Sequence, residues 1–112
     1  MAMKLVTQLN ETDLRLMARA LDGFVPEEVY DVHTHLFHTR HLAPGKKPVF
    51  LDDDRGYGMP DFSEAMARWM PGRTVEGLFF GFPSPGNDRA GENAWLQEQV
   101  APLVTSSNSR AL

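Results

Sequence analysis

All four histidines of this 112-residue sequence fall between positions 33 and 41, as His33, His35, His38 and His41. Neutral imidazole is the commonest metal ligand among side chains, so their clustering raises metal chemistry first. The run Val29-Tyr30-Asp31-Val32-His33-Thr34-His35-Leu36-Phe37 is rich in β-branched and aromatic residues, fits no helical stripe and reads as a strand. Side chains two apart on a strand share a face, which turns His33 and His35 the same way, with Asp31 one step earlier on that face. Val32 and Thr34 then point to the other side, toward a covering helix. Two imidazoles so placed can converge on one divalent ion; the competing reading is two polar residues on a solvated face. The apolar strand, the acid upstream and the long loop directly after it favour ligation, because in β/α folds the C-terminal strand ends and the loops that follow build active sites.

The remaining candidates are weaker. Asp31, His38 or His41 could supply a third ligand to a self-contained site, but a ligand on a loop needs neighbours to hold it in place. His38 and His41 are read instead as loop residues that reach substrate or stand as exposed polar groups. Asp52-Asp53-Asp54 lacks the spacing of an EF-hand and reads as a solvated acidic turn. The segment Gly81 to Gly86 contains neither G-x-G-x-x-G nor a Walker lysine, and Ser106, Ser107 and Ser109 have no nucleophile motif around them. Trp69 and Trp95 fall on amphipathic helices and read as packing anchors.

The elements that must position these residues follow from periodicity. Leu14, Met17, Ala18 and Leu21 predict a helix over 10–22, capped by Asn10 and ended by Gly23 and Pro26. After the histidine strand, the Pro- and Gly-rich stretch 38–60 predicts a long loop. Asp61 with Glu64 suggests a capping box, and Phe62, Ala65, Met66 and Trp69 an amphipathic helix that Pro71-Gly72 stops. Thr74 to Phe82 predicts a strand covered on both faces. Asn87 or Asp88 caps a third helix with Leu96, Val100, Leu103 and Val104 as its stripe, distorted by Pro102. Residues 105–112 read as a polar tail, in which Ala111-Leu112 begins something apolar. Strands alternating with helices argue for parallel β-α-β connectivity.

Composition sets outer limits. The chain is 42% apolar and 23% charged, with net charge −4, eleven basic residues and no cysteine. That fits one α/β domain spanning 1–112 and excludes disulfides and thiolate metal sites. No basic stripe could neutralise several phosphates, so nucleic acid is not an expected partner. Neither a signal peptide nor a run of about 18 apolar residues is present, which gives no membrane partner and a cytoplasmic expectation.

Val29-Tyr30-Asp31-Val32-His33-Thr34-His35-Leu36 resembles the first strand of the amidohydrolase superfamily, whose hallmark is H-x-H at the end of strand one of a (β/α)8 TIM-type barrel. Gly77-Leu78-Phe79-Phe80-Gly81-Phe82-Pro83 is similar to the second strand of its amidohydrolase-related branch, and the resemblance spans about residues 29 to 101. It implies that His33 and His35 bind a divalent metal, commonly zinc, that activates water for hydrolysis of C–N or C–O bonds, or supports decarboxylation or isomerisation of a small acid. It also implies further ligands: histidines from strands five and six and an aspartate from strand eight. No histidine follows position 41, and a complete barrel needs roughly 200 residues or more.

The expectation is therefore an incomplete barrel: a pre-barrel helix over 10–22, two β/α units over 29–104 and a tail over 105–112. Such a piece is inactive by itself, holds zinc weakly, and self-associates or pairs with the missing barrel remainder, while the parent enzyme acts on a small-molecule substrate. The alternative is a small non-enzymatic α/β protein that binds a metal or a partner.

Overall fold

The structure, a computed structural model, describes residues 9–45, 56–103 and 110–111. Lys46-Lys47, the Asp52-Asp53-Asp54 turn, Val104 and the serines of 106–109 lie outside the described residues.

Helix α1 spans Glu11–Ala20. Its start is fixed reciprocally: the Asp13 amide donates to the Asn10 side chain at 2.9 Å and the Asn10 amide to the Asp13 carboxylate at 3.0 Å. Two otherwise unpaired N–H groups are satisfied together. Strand β1 (Glu28–His35) follows, then a short antiparallel ribbon of β2 (Phe37–His38) with β3 (Gly56–Tyr57), separated in sequence by a 3₁₀ turn over Thr39–His41. The stretch expected to be one long loop therefore contains ordered pieces at both ends.

Helix α2 runs Met59–Trp69 and begins two residues before the expected Asp61. Asp61 is the far half of its cap, accepting the Gly58 amide at 2.9 Å, and Pro60 occupies the first turn, where its missing N–H costs nothing. Strand β4 (Thr74–Phe80) follows, ending two residues before the expected Phe82, and then helix α3 (Arg89–Val100), in which Asp88 is the cap, accepting the Gly91 amide at 3.0 Å. Helix α3 ends at Val100 and tightens into a 3₁₀ turn over Ala101–Leu103, the distortion expected of Pro102.

The sheet is parallel. β1 pairs with β4, and β4 pairs on its other side with β5 (Arg110–Ala111), so the order is β1-β4-β5. The expected polar tail thus contains a third parallel strand. The molecule is a small mixed α/β domain with a parallel sheet, and no closed barrel is formed among the described residues.

The core lies on one face. Phe79, Leu36, Phe62, Leu96 and Val100 are its buried members, with Tyr57, Met59, Met66, Val75 and Trp95 packed around them. Phe62 meets Phe79 edge to face at 5.0 Å between ring centroids. Phe79 also lies across Gly77, where a Cβ would come within 2.9 Å of its ring, so the glycine makes room for a fully buried core ring. On the opposite face Leu78 and Phe80 are only half-buried and Tyr30 is exposed. The strand expected to be covered on both sides is covered on one.

Helix α1 has no buried residue. Its stripe of Leu14, Met17 and Leu21 lines an open groove with Trp69, Met70 and Pro71 at the end of α2. Arg73 closes one end of it, donating to the Asp22 carboxylate at 2.6 Å, to the carbonyls of Pro71 and Val25, and to that of Asp22. This junction lies at the N-terminal ends of β1 and β4, opposite the histidines. Among the described residues no helix is long and apolar enough to cross a membrane.

Candidate metal centre

His35 is the last residue of β1, and Phe80, level with it, is the last of β4. The histidines therefore stand at the C-terminal edge of a parallel sheet. The rings of His33 and His35 are 5.2 Å apart between centroids and inclined at 67°, and both rest on Phe80, at 4.9 and 4.7 Å. They share a face, as the two-residue spacing predicts.

His35 is held more closely than His33. Phe82 stacks on it at 4.7 Å and 23°, and its Nδ1 lies 3.1 Å from the Gly81 carbonyl oxygen. A carbonyl only accepts, so Nδ1 carries the proton, and in the neutral ring Nε2 is the nitrogen with a lone pair. Metal-ligating histidines are held in this way, by donation of the second ring N–H to a carbonyl or carboxylate. His33 is exposed.

Asp31 does not stand in the expected row. The pairing places Asp31 level with Gly77 and Thr34 level with Phe79, three steps along β1 against two along β4. One extra residue in β1 makes a bulge and reverses the alternation, so Asp31 falls on the Val75–Gly77–Phe79 face while His35 pairs with Phe80 on the other. The cause is local: the Asp31 carboxylate accepts the amide of His33, two residues on, at 2.9 Å. Val32, expected under a helix, is 69% exposed, whereas Thr34 is buried.

His38 and His41 do not reach the pair either. Their rings are 6.1 Å apart and lie 6.1 and 6.5 Å from Trp95 on α3. His41 is buried, its Nε2 accepts from Arg40 Nε at 3.2 Å, and its carbonyl accepts the Asp88 amide at 2.8 Å. These two histidines and Trp95 fasten the loop to the start of α3, so His41 is a packing residue and not the exposed polar group expected. Among the described residues no group of three histidine, cysteine, aspartate or glutamate side chains could hold a metal ion. For a divalent ion the described residues thus offer two neighbouring imidazoles, of which His35 alone has its second ring nitrogen held.

Three residues around His35 escaped the sequence reading: Gly81, Phe82 and Glu92. Glu92 is 3% exposed and its Oε1 accepts the Phe82 amide at 3.0 Å. Its signal was present, since Glu92, Leu96 and Val100 recur at four-residue intervals on one face of α3. An acid on the apolar stripe of a helix marks a buried partner.

Compared with protein-family models, with curated proteins and with solved structures, the chain matches none.

Proposed function

We propose that this chain forms the opening β/α units of a (β/α)8 metal-dependent hydrolase of the amidohydrolase kind, in which His33 and His35 are two of the metal ligands. The observation that carries this reading is the prepared His35: its Nδ1 proton is given to the Gly81 carbonyl at the C-terminal edge of a parallel sheet, beside a second imidazole 5.2 Å away. The half-buried face of Phe80 and Leu78 supports it, because in a closed barrel that side packs inward. So does β5, which extends the sheet in parallel beyond β4, as a third barrel strand would.

In that setting His33 and His35 would hold a divalent ion, zinc being the commonest, through ring nitrogens, His35 through Nε2. The ion, when bound, supplies Lewis acidity and lowers the pKa of bound water toward neutrality. The chain's own contribution is to orient: Phe80 and Phe82 fix the His35 ring plane and exclude water from its flank, and Gly81 fixes its tautomer. Catalytic zinc normally has three protein ligands, so two give weak binding and no hydrolysis by this chain alone. The parent enzyme would cleave a C–N or C–O bond of a small molecule, or decarboxylate or isomerise a small acid.

Calorimetric titration with zinc chloride tests the ligand pair. Weak, saturable binding is expected, lowered at least about tenfold by either His33→Ala or His35→Ala, because each removes one of two ligands. Equal affinity in all three proteins would overturn the assignment.

A further inference from the structure

We infer that Glu92 is a positioning residue for His35, acting through the single peptide unit that joins Gly81 to Phe82. The Glu92 carboxylate accepts the N–H of that unit at 3.0 Å, and the C=O of the same unit lies 3.1 Å from Nδ1 of His35. The six atoms of a peptide are planar and conjugated, so the two hydrogen bonds are not independent. An anion bonded to the N–H pushes electron density toward the carbonyl oxygen, which then accepts more strongly. Charge-assisted bonds are about twice as strong as neutral ones, and chained bonds reinforce one another inside a protein. The carboxylate of α3 is thereby coupled to the imidazole of β1 without touching it, and Nε2 is kept bare and electron-rich.

Three features show the arrangement is built around this contact. Glu92 is 3% exposed, and burying a carboxylate is costly unless it is hydrogen-bonded. Its place in the first turn of α3 offsets part of that cost through the helix dipole. Gly81 has no Cβ, and one built there would run into the Glu92 carboxylate, so a glycine is what lets the acid reach the peptide. The peptide is also braced from beyond: Asn87 donates to the Phe82 carbonyl at 3.1 Å while accepting the Ala43 amide at 2.8 Å.

The last link, from a poised Nε2 to a metal ion, rests on the function proposed above. The hold of Glu92 on His35 does not.

Nitrogen-15 NMR of the metal-free full chain, at a pH where the imidazoles are neutral, reads the tautomer directly. In the wild-type protein His35 is expected in the Nδ1–H form, with the Phe82 amide proton displaced downfield. In Glu92→Gln, which keeps the shape and loses the charge, and in Glu92→Ala, His35 should move to a mixture of tautomers and the Phe82 proton upfield. A wild-type His35 carrying its proton on Nε2 overturns the inference. So does an unchanged Nδ1–H form in either variant that keeps a dispersed spectrum. If neither variant folds, the wild-type chain decides: scalar coupling across the hydrogen bond from the Phe82 amide nitrogen to the Glu92 carboxylate carbon supports the link, and its absence overturns it.

Zinc titration separates the two readings. Loss of a partner one step behind a ligand costs about tenfold to a hundredfold in affinity, and Glu92→Gln should weaken zinc by that much. A tautomer change in a protein that binds no zinc keeps the Glu92–His35 link and removes the metal reading. Zinc held by His33 and His35 with no tautomer change does the reverse.

Discussion

Tyr57 sits where ionisation is unfavourable: burial raises its phenol pKa above 10.0, and the nearby Asp61 charge raises it further. The native state therefore binds the phenolic proton more tightly than the unfolded chain does. The resulting stability is fully present below pH 10.0 and is lost as pH rises through the native pKa. Thermal unfolding followed between about pH 9 and pH 11 should show a falling midpoint, and Tyr57→Phe should flatten that limb. A variant with the same slope as the wild type would show that Tyr57 is not its source. Asp31 acts at the same scale with a larger structural result. By bonding the His33 amide it supports the bulge that carries its own carboxylate to the opposite face from the histidine pair. One residue thus decides that the pair is His33 and His35 without an adjoining acid.

Elements meet at two ends of the sheet, and each end has a different job. At the C-terminal end, α3 brings Glu92 under the Gly81–Phe82 peptide, and its Asp88 amide is bound to the His41 carbonyl. Gln99 of α3 accepts the Met59 amide at 2.9 Å, which docks the start of α2 on the same helix. At the N-terminal end, Arg73 ties the strand start to the turn after α1 through Asp22 and Val25. Helix α1 itself has no buried residue among those described. Arg73→Ala should therefore release that turn while leaving the core intact. The amides of Phe24 and Val25, which donate to the Leu21 carbonyl, should exchange with deuterium at least about tenfold faster, since hydrogen bonds to charged groups contribute about 1.5–3 kcal/mol. Protection at Leu36 and Phe79 should hold; uniform loss would mean that Arg73 supports the whole domain.

The whole molecule leaves apolar surface open. Phe24 is 82% and Val32 69% exposed, Leu16 is exposed on α1, and β1 has a paired neighbour on one side only among the described strands. Unpaired strand edges template association, and contiguous apolar patches drive it. Sedimentation velocity should show concentration-dependent self-association, reduced by Val32→Lys, which places a charge on the open strand. A monomer at every concentration would count against the barrel reading, since a sheet torn from a barrel has no reason to stay single. Under the same reading, continuation of the reading frame past Leu112 should encode further β/α units with histidines at strand ends.

The helices, the two principal strands and the shared face of His33 and His35 were legible in the sequence because each rests on local information: periodicity of 3.6 or 2, capping residues and Pro-Gly stops. The His pair needed only a two-residue spacing, and its rings stay together although His33 lies in the bulged stretch between Asp31 and Thr34. What failed depended on pairing between distant segments. The side taken by Asp31 follows from the register of β1 on β4, the burial of His41 from its packing on α3, and the third strand from two residues that align on β4. The apolar stripe of α3 marks Glu92 as buried, but only the fold sets it against a peptide 10 residues away in sequence, and the tautomer of His35 depends on a carbonyl 46 residues away. Sequence by itself determined which groups could do chemistry and that two of them share a face. Only tertiary structure decided that Asp31 leaves that face and which carbonyl holds the His35 proton, because contacts across a sheet are made between residues that no local pattern relates.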